Sequence, residues 1–566
     1  MTRRAAPAVV ALLAAVVVAV VALGAPRRAE ALNFRIKGQS FRLDITESLF
    51  SSYRGDLGSL VIERTRDGQR VVGAHFYDLI NRLNLTLAWK KLRFFTRFDT
   101  AVYFDTPNGA CGDPTTTPVP LRSRFCQRYF WLEKIGIEYV GRELEVTAGD
   151  FYVSFGRGLV LSLRKVDELG IDTTLLGGKV VVRKENVSAT FVAGVTNVQN
   201  TDDSTGRSTP DPFDVIAGSR VELRLADKVI LGIHEAGGVF LGPGQSRTAQ
   251  RRDGMFMYGV SLDVPRATKW LSLYAEGAGQ LVQAEDARDQ GYALYASATA
   301  QAGPVSILVE AKHYSKFQRW RSSIDQSLAE FNPVAYNQPP TAERVLTELT
   351  SPIFDVTGPR LRLDWRATPW MLVFASTGYF EDRGSPDKVK RIYHDPYAGL
   401  EFRWQNGASH FFPSGGIRFE LCGEVPSACL PIPGTNWYQT IGHVEWDFTQ
   451  ALPKRLSIES QGFALFREGE GLGDATTSVK WTEGNAYLAL KWTPYLILVG
   501  GYEWSTRPST KVNEHFFNGS VQWNITTASS LRLFAGGMRG GLRCISGICR
   551  DFPAFTGVRL EVVIRL

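Results

Sequence analysis

Charged side chains recur through this sequence two residues apart, on one side of an alternating apolar pattern. Arg360, Arg362 and Arg366 stand with Asp364 against Leu361, Leu363 and Trp365. Arg82, Arg93 and Arg97 occupy equivalent positions near the start of the chain, as do the acidic Asp99, Glu222 and Glu445. In extended chain, residues i and i+2 share a face, so each such run puts its charges on one surface and its apolar side chains on the other. Charges on the wet side of a wall attract and orient ions and polar solutes. The two signs nearly balance, whereas a selective ion pore is expected to show a ring of one sign. The balance predicts a paired, hydrated wall, and the Arg360, Arg362 and Arg366 run is the best candidate contact for an anionic solute.

Other constellations lead to weaker chemistry. His313 and Ser315 are two residues apart, as in the outer-membrane phospholipases that work on the lipid face of a barrel. Lys316 stands where that motif continues with Asn-Gly, and no orienting Asn follows, so the pair lacks its third member. No Gly-x-Ser-x-Gly, His-Glu-x-x-His or phosphate loop occurs. The sequence therefore predicts no enzymatic activity, no cofactor and no metal. Asp202, Asp203, Asp211 and Asp214 crowd one connection and read either as a solvated acidic loop or as a calcium site. Six cysteines form three close pairs, Cys111 with Cys126, Cys422 with Cys429 and Cys544 with Cys549. In an exported chain that spacing predicts three local disulfides.

The elements that must position these residues are strands. Val187, Ala189, Phe191, Ala193 and Val195 alternate with Ser188, Thr190 and Gly194, and Val192 breaks the pattern. Leu83, Leu85, Leu87 and Trp89 alternate with Arg82, Asn84 and Thr86. Many runs reach about 12 to 15 residues, where strands of soluble proteins have about 5 or 6. Trp89, Trp131, Trp365, Trp404, Trp446, Trp492 and Trp504 sit at or near run ends, as interfacial girdles would. Counting along the chain predicts about 24 strands, within 22–26, in a single antiparallel transmembrane β-barrel. Every second connection is very short, as at Lys91, Arg142, Gly303, Thr368 and Thr493, and the others are long. That alternation matches short periplasmic turns and long extracellular loops, and it places all three cysteine pairs outside.

The beginning of the sequence sets the compartment. Arg3 and Arg4, an apolar run over 5–25 and the Ala29-Glu30-Ala31 site predict a cleavable signal peptide over 1–31, with the barrel over 32–566. An uncleaved membrane anchor is the alternative. The formal charge is +7, and the four arginines and one glutamate of the leader account for three of those charges, leaving +4. So small a charge does not point to nucleic acid.

The stretch Gly149-Asp150-Phe151-Tyr152 through Phe155-Gly156-Arg157-Gly158-Leu159 resembles uncharacterised bacterial outer-membrane β-barrels of the porin-like kind. That resemblance implies a barrel in the outer membrane of a Gram-negative cell and no particular substrate. The last strand, with Val558, Leu560, Val562, Ile564 and Leu566 opposite Arg559, Glu561 and Arg565, is similar to the insertion signal of such barrels. It departs from it in ending on Leu566 instead of an aromatic residue.

Barrels of about 16 to 18 strands already leave a channel, so about 24 would enclose a wide lumen. Two long connections could fill it. The first, over 154–174, is too apolar for a solvated loop, and Gly156 and Gly158 allow close backbone approach. It reads either as an inward constriction or as a partner-binding surface. The second, over 317–354, has helical spacing at Ile324, Leu328 and Phe331 before Asn332-Pro333 breaks it. It reads as a helix across the mouth or as a surface loop. The leading function class is a channel or transport pore for solutes or exported polymer. The alternatives are a non-catalytic envelope component that binds partners through its loops and, remotely, a lipid-hydrolysing barrel. The expected partners are outer-membrane lipid, the barrel assembly machinery and other envelope proteins.

Overall fold

The computed structural model describes residues 32–565, apart from 56–61, 65–69, 73–75, 105–128, 202–210, 226–227, 240–251, 285–286, 318–319, 321–333, 345–354, 384–389, 424–436, 471–477, 507–514, 546–547 and 553. The predicted signal peptide lies outside the described residues.

The chain forms a closed antiparallel barrel of 24 strands. The first eight are β1 (Gln39–Arg54), β2 (Phe76–Trp89), β3 (Leu92–Phe104), β4 (Tyr129–Val140), β5 (Leu144–Phe151), β6 (Ile171–Lys184), β7 (Val187–Val198) and β8 (Val215–Leu225). Then come β9 (Val229–Val239), β10 (Arg252–Val264), β11 (Leu271–Ala284), β12 (Ala287–Ala302), β13 (Val305–Ser315), β14 (Val356–Thr368), β15 (Met371–Asp382) and β16, in two pieces (Lys390–His394 and Tyr397–Trp404). The last eight are β17 (Ser409–Gly423), β18 (Trp437–Leu452), β19 (Leu456–Glu470), β20 (Ser478–Trp492), β21 (Leu496–Ser505), β22 (His515–Asn524), β23 (Ser530–Met538) and β24 (Phe555–Arg565). Each pairs with its sequence neighbours. The seam closes where Thr46 to Arg54 of β1 pair with Arg565 to Gly557 of β24, so the wall has no open edge to recruit another chain.

Alternation decides which face looks where. One face shows exposed Phe94, Phe191, Ile233, Val260, Leu294, Leu363, Val444 and Leu488 around the circumference. The other carries Arg97, His234, Glu276, Arg418 and Glu420, all buried although ionisable. Charged groups are buried inside and apolar groups are left outside, which inverts a soluble protein and suits a wall solvated by lipid. Trp270, Trp370 and Trp492 stand exposed beside short turns, where amphipathic rings meet the membrane–water boundary. The molecule is an outer-membrane β-barrel.

Two features depart from simple alternation. Leu32–Ile36 forms a further strand against the foot of β1, with Leu32 opposite Leu43 and Ile36 opposite Gln39. It follows the line of β24 along the same edge, and Phe34, Phe41 and Trp89 stack there at 5.5 and 5.8 Å. The break in β16 falls at Asp395-Pro396, where proline has no N–H to give to the ladder.

Candidate functional site: the inner constriction

Chain leaves the wall inward after β5. Gly149 has φ +114°, and a Cβ there would meet the Ile135 carbonyl at 2.2 Å, so only glycine fits this exit. Residues 152–170 then fold within the barrel, tightened by a small hairpin of Val153–Ser154 with Ser162–Leu163. Phe155, Leu159, Val160, Leu161 and Leu163 are all buried. Each such side chain gains about 1.5–3 kcal/mol on leaving water, which draws this loop inward instead of into solvent. Its seat on the wall comprises Val192, Ile216, Met255, Met257, Val282 and Tyr314, all in one cluster with it.

The connection between β13 and β14 supplies a second inserted segment, described at 316–317, 320 and 334–344. Trp320, Tyr336 and Ala342 join the same apolar cluster. The two segments clasp each other through backbone. Ser162 N donates to Tyr336 O at 2.7 Å and Gln338 N to Gly158 O at 2.7 Å, and the Asn337 side-chain amide adds a bond to Leu159 O at 3.0 Å. Arg164 holds the Gln338 side-chain carbonyl at 3.1 Å through Nε, and burial pulls its pKa below the ordinary arginine value. The predicted helix over 322–331 lies outside the described residues. Of the readings open for 154–174, the inward constriction is the one the fold adopts.

Each segment presents one arginine to the wall. Arg157 lies over the rings of Tyr274 at 4.1 Å and Tyr295 at 5.4 Å, and its Nη1 donates to Tyr295 Oη at 3.1 Å. Its backbone N donates to Glu276 at 2.7 Å, and Glu276 also accepts from Tyr274 at 2.6 Å. Gly156, at φ +55°, has that carboxylate where a Cβ would be, 2.3 Å away. The second segment is fixed by Lys312 with Glu343, by Tyr314 Oη donating to Pro340 O at 2.9 Å, and by Tyr336 Oη donating to Asp214 at 2.6 Å. Arg344, next to Glu343, stacks on Tyr397 at 4.7 Å, pairs with Glu445 and contacts His443 at 3.2 Å. Burial lowers the Arg344 pKa, against the pull of Asp395.

Both ends of the first segment return to one polar cluster. Arg97 bridges Asp99 at 2.6 Å and Asp172 at 2.9 Å, and Tyr152 donates to Asp172 at 2.7 Å. Lys134 donates to Thr174 at 2.7 Å, and Asp150 accepts from Thr174 and Asn197, each at 2.8 Å. A bulge opposite Arg97 and Phe98 turns both Glu133 and Lys134 inward. Glu133 then accepts from Asn200 N at 3.0 Å, and Arg82 donates to Thr201 O at 2.7 Å, drawing the start of the next loop over the cluster.

The residues singled out in the sequence fall on the inner face, most of them paired. Arg82 and Arg97 share Asp99, Arg93 pairs with Glu138 at 2.7 Å, and Glu222 pairs with Arg220. In the arginine run, Arg360 faces Glu310 at 3.4 Å and Tyr397 at 3.3 Å, while Arg362 grips Asp364 at 2.8 Å and covers Phe374. Arg366 stands exposed near the turn end of its strand, as do Arg224, Arg403 and Arg532 of other strands. The inner wall is thus packed toward the long loops and open toward the short turns.

Other predicted groups do not assemble. The ring nitrogens of His313 contact Thr357 at 2.6 Å and Tyr292 at 3.0 Å instead of Ser315. Asp211 accepts from Val198 N at 2.9 Å and Asp214 is buried against Tyr336, while Asp202 and Asp203 lie outside the described residues. Among the described residues no group of three or more potential metal ligands occurs. Cys544 and Cys549 are cross-strand partners in a hairpin of Gly541–Ile545 with Ile548–Phe552. Their side chains and that of Cys422, together with Cys111, Cys126 and Cys429, lie outside the described residues. That hairpin leans on the constriction, with Phe552 packed on Val166 and Leu169 and Arg550 donating to Leu169 O.

Sequence reasoning missed the seat and the bulge. The seat had a signal: apolar residues on the charged face, of which Val192 was the visible exception. The Glu133 bulge had none, since one extra residue leaves composition unchanged.

Residues 128–227, which span the first inserted segment and its flanking strands, match a family of unknown function, DUF6029. No curated protein matches the chain. Among solved structures, the siderophore receptor PirA from Pseudomonas aeruginosa is similar at 8% identity and TM-score 0.46, over 96% of this chain and 81% of that one. The translocation pore of the P pilus usher PapC is similar at 8% identity and TM-score 0.41, over 93% and 99%. The outer-membrane protein OpdK from Pseudomonas aeruginosa is similar at 11% identity and TM-score 0.37, over 70% and 96%.

Proposed function

We propose that this barrel is a non-enzymatic transport pore, closed on its extracellular side by two segments of its own chain. One observation carries the reading. From β5 to β16 the inner wall is packed by apolar side chains toward the long loops, yet toward the short turns it stays lined with accessible charges such as Arg224, Arg366, Arg403 and Arg532. A wet vestibule beneath a plug held by side-chain contacts suits a passage that opens, and a purely structural wall has no need of one. The exposed Arg366, beside Arg360 and Arg362, keeps this run as the proposed contact for anionic groups. We further propose that the three cysteine pairs are disulfides that brace the extracellular loops, and that 1–31 is removed on export.

The test is conductance of the refolded protein in planar bilayers. The intact barrel should give small or rare openings, and removal of 317–354 should give large, long-lived ones. An absence of conductance in both forms would sink the pore reading and favour an envelope component that acts through its loops.

A further inference from the structure

We propose that the inner face of β19 to β22 is a contact site for uncharged saccharides. The proposal rests on the pore reading for its purpose, and its binding test does not need a barrel that conducts.

The site is a row across four neighbouring strands. Gln461 of β19 stands opposite Tyr487 of β20, Tyr487 opposite Gly501 of β21, and Gly501 opposite Asn518 of β22. They share the inner face, because Phe466, Leu488, Leu498 and Val521, of the other parity, are exposed on the lipid side. Gln461 is exposed, while Asn485, Tyr487 and Asn518 are half-buried. Among the described residues, the apolar cluster that seats the inserted segments takes no side chain from a strand beyond β16, so this row keeps its access to the lumen.

Gly501 shapes the site. A Cβ there would stand 2.6 Å from Cε1 and 2.7 Å from Cδ1 of Tyr487, and 2.4 Å from Asn518 Oδ1. The Tyr487 ring and the Asn518 amide thus fill the place of the missing side chain, one from each neighbouring strand. Tyr487 Oη donates to Glu503 at 2.5 Å, and Asn518 Nδ2 donates to Gly537 O at 3.1 Å. The ring is therefore held along the wall instead of standing into the lumen, with Asn518 Oδ1 beside it.

The charge pattern selects the solute. Elsewhere the inner wall carries ion pairs in strand after strand, but this row carries no charge. The ionic groups around it serve each other. Glu459 pairs with Lys491 toward the short turns, and Arg467 and Arg539 both hold Glu483 toward the long loops. Glu503 also accepts from Arg539 N at 2.8 Å, and Asp447, next to Gln461 on β18, contacts His410 at 3.2 Å. The amides of Gln461 and Asn485 each present two donors and a carbonyl oxygen, which suits hydroxyl groups that both donate and accept. The Tyr487 ring presents apolar surface of the kind that C–H groups pack against. An apolar solute would leave the amides unpaired, and an inorganic ion would make no use of the ring. A sugar, with hydroxyl edges around a C–H face, uses both.

The test is saturation-transfer NMR on the refolded full-length barrel in a sugar-free zwitterionic detergent, with glucose and maltotriose as probes. Saturation of the protein should pass to the C–H protons of both sugars. Tyr487→Ala should weaken the transfer roughly fivefold, the size of one aromatic contact. Gly501→Ala, whose new Cβ drives the ring off the wall, should act in the same direction and serves if the first variant fails to refold. An absence of transfer to both sugars, transfer undiminished in these variants, or stronger transfer to glucuronate than to glucose overturns the proposal. A barrel that binds sugar at Tyr487 and never conducts retires the pore reading and keeps the site. One that conducts and binds neither sugar keeps the pore reading and retires the site.

Discussion

Lys312 and Glu343 form an ion pair with almost no contact with solvent, where the wall holds the inserted segment by charge. Removing water from two ions costs several kcal/mol, and their mutual attraction is the main offset. Lys312→Met leaves Glu343 buried and alone, and should destabilise the seated segment by about 3–5 kcal/mol. Lys312→Met combined with Glu343→Leu removes both charges and should recover most of that loss. On the proposed pore function, the fraction of time the barrel conducts measures the difference, and equal openings in the two variants would show that the pair does not hold the segment.

The bulge in β4 sets where the first segment begins and ends. It points Glu133 at the backbone of Asn200 while Lys134 reaches Thr174, so one extra residue serves two connections. Glu133→Ala leaves the Asn200 amide without its acceptor, a loss of about 1–3 kcal/mol, and should loosen the chain over 199–201. Faster amide exchange at Asn200 and Thr201 is the expected readout, and unchanged exchange would place their anchor elsewhere. At this scale the sequence was largely legible. Alternation located all the wall strands to within a few residues, and the apolar character of 154–164 marked the segment that folds inward. What escaped it has a common cause. The break at Pro396, the strand Leu32–Ile36 and the bulge each change pairing without changing periodicity, and the contacts across the lumen join residues far apart in sequence, such as Arg157 with Glu276 and Arg344 with His443. Parity tells which way a side chain points, not what it meets across a lumen.

For the whole molecule, the two faces of the wall obey different solvents. Val444, exposed at the middle of β18, lies on the lipid side, and Gln461, on the neighbouring β19, lies on the water side. Val444→Arg should cost about 2–4 kcal/mol of folding stability in a bilayer, while Gln461→Arg should change it little. Reversible urea unfolding in lipid vesicles makes the comparison, and a similar cost at both positions would contradict the assigned orientation.

The two inserted segments also differ as tethers. Both are anchored at each end to consecutive wall strands, so neither can leave the barrel. The span between Ser315 and Val356 is nonetheless about twice that between Phe151 and Ile171, and contour length sets how far a tethered chain can swing. The short tether is bound at its base by the Arg97 cluster, while the long one is bound at its base by Lys316 N on Asp355 and further along by Glu343 and Arg344. Opening should therefore come in two steps, and a single barrel should display two conducting sublevels, a frequent narrow one when the long tether swings out and a rare wide one when the short tether follows.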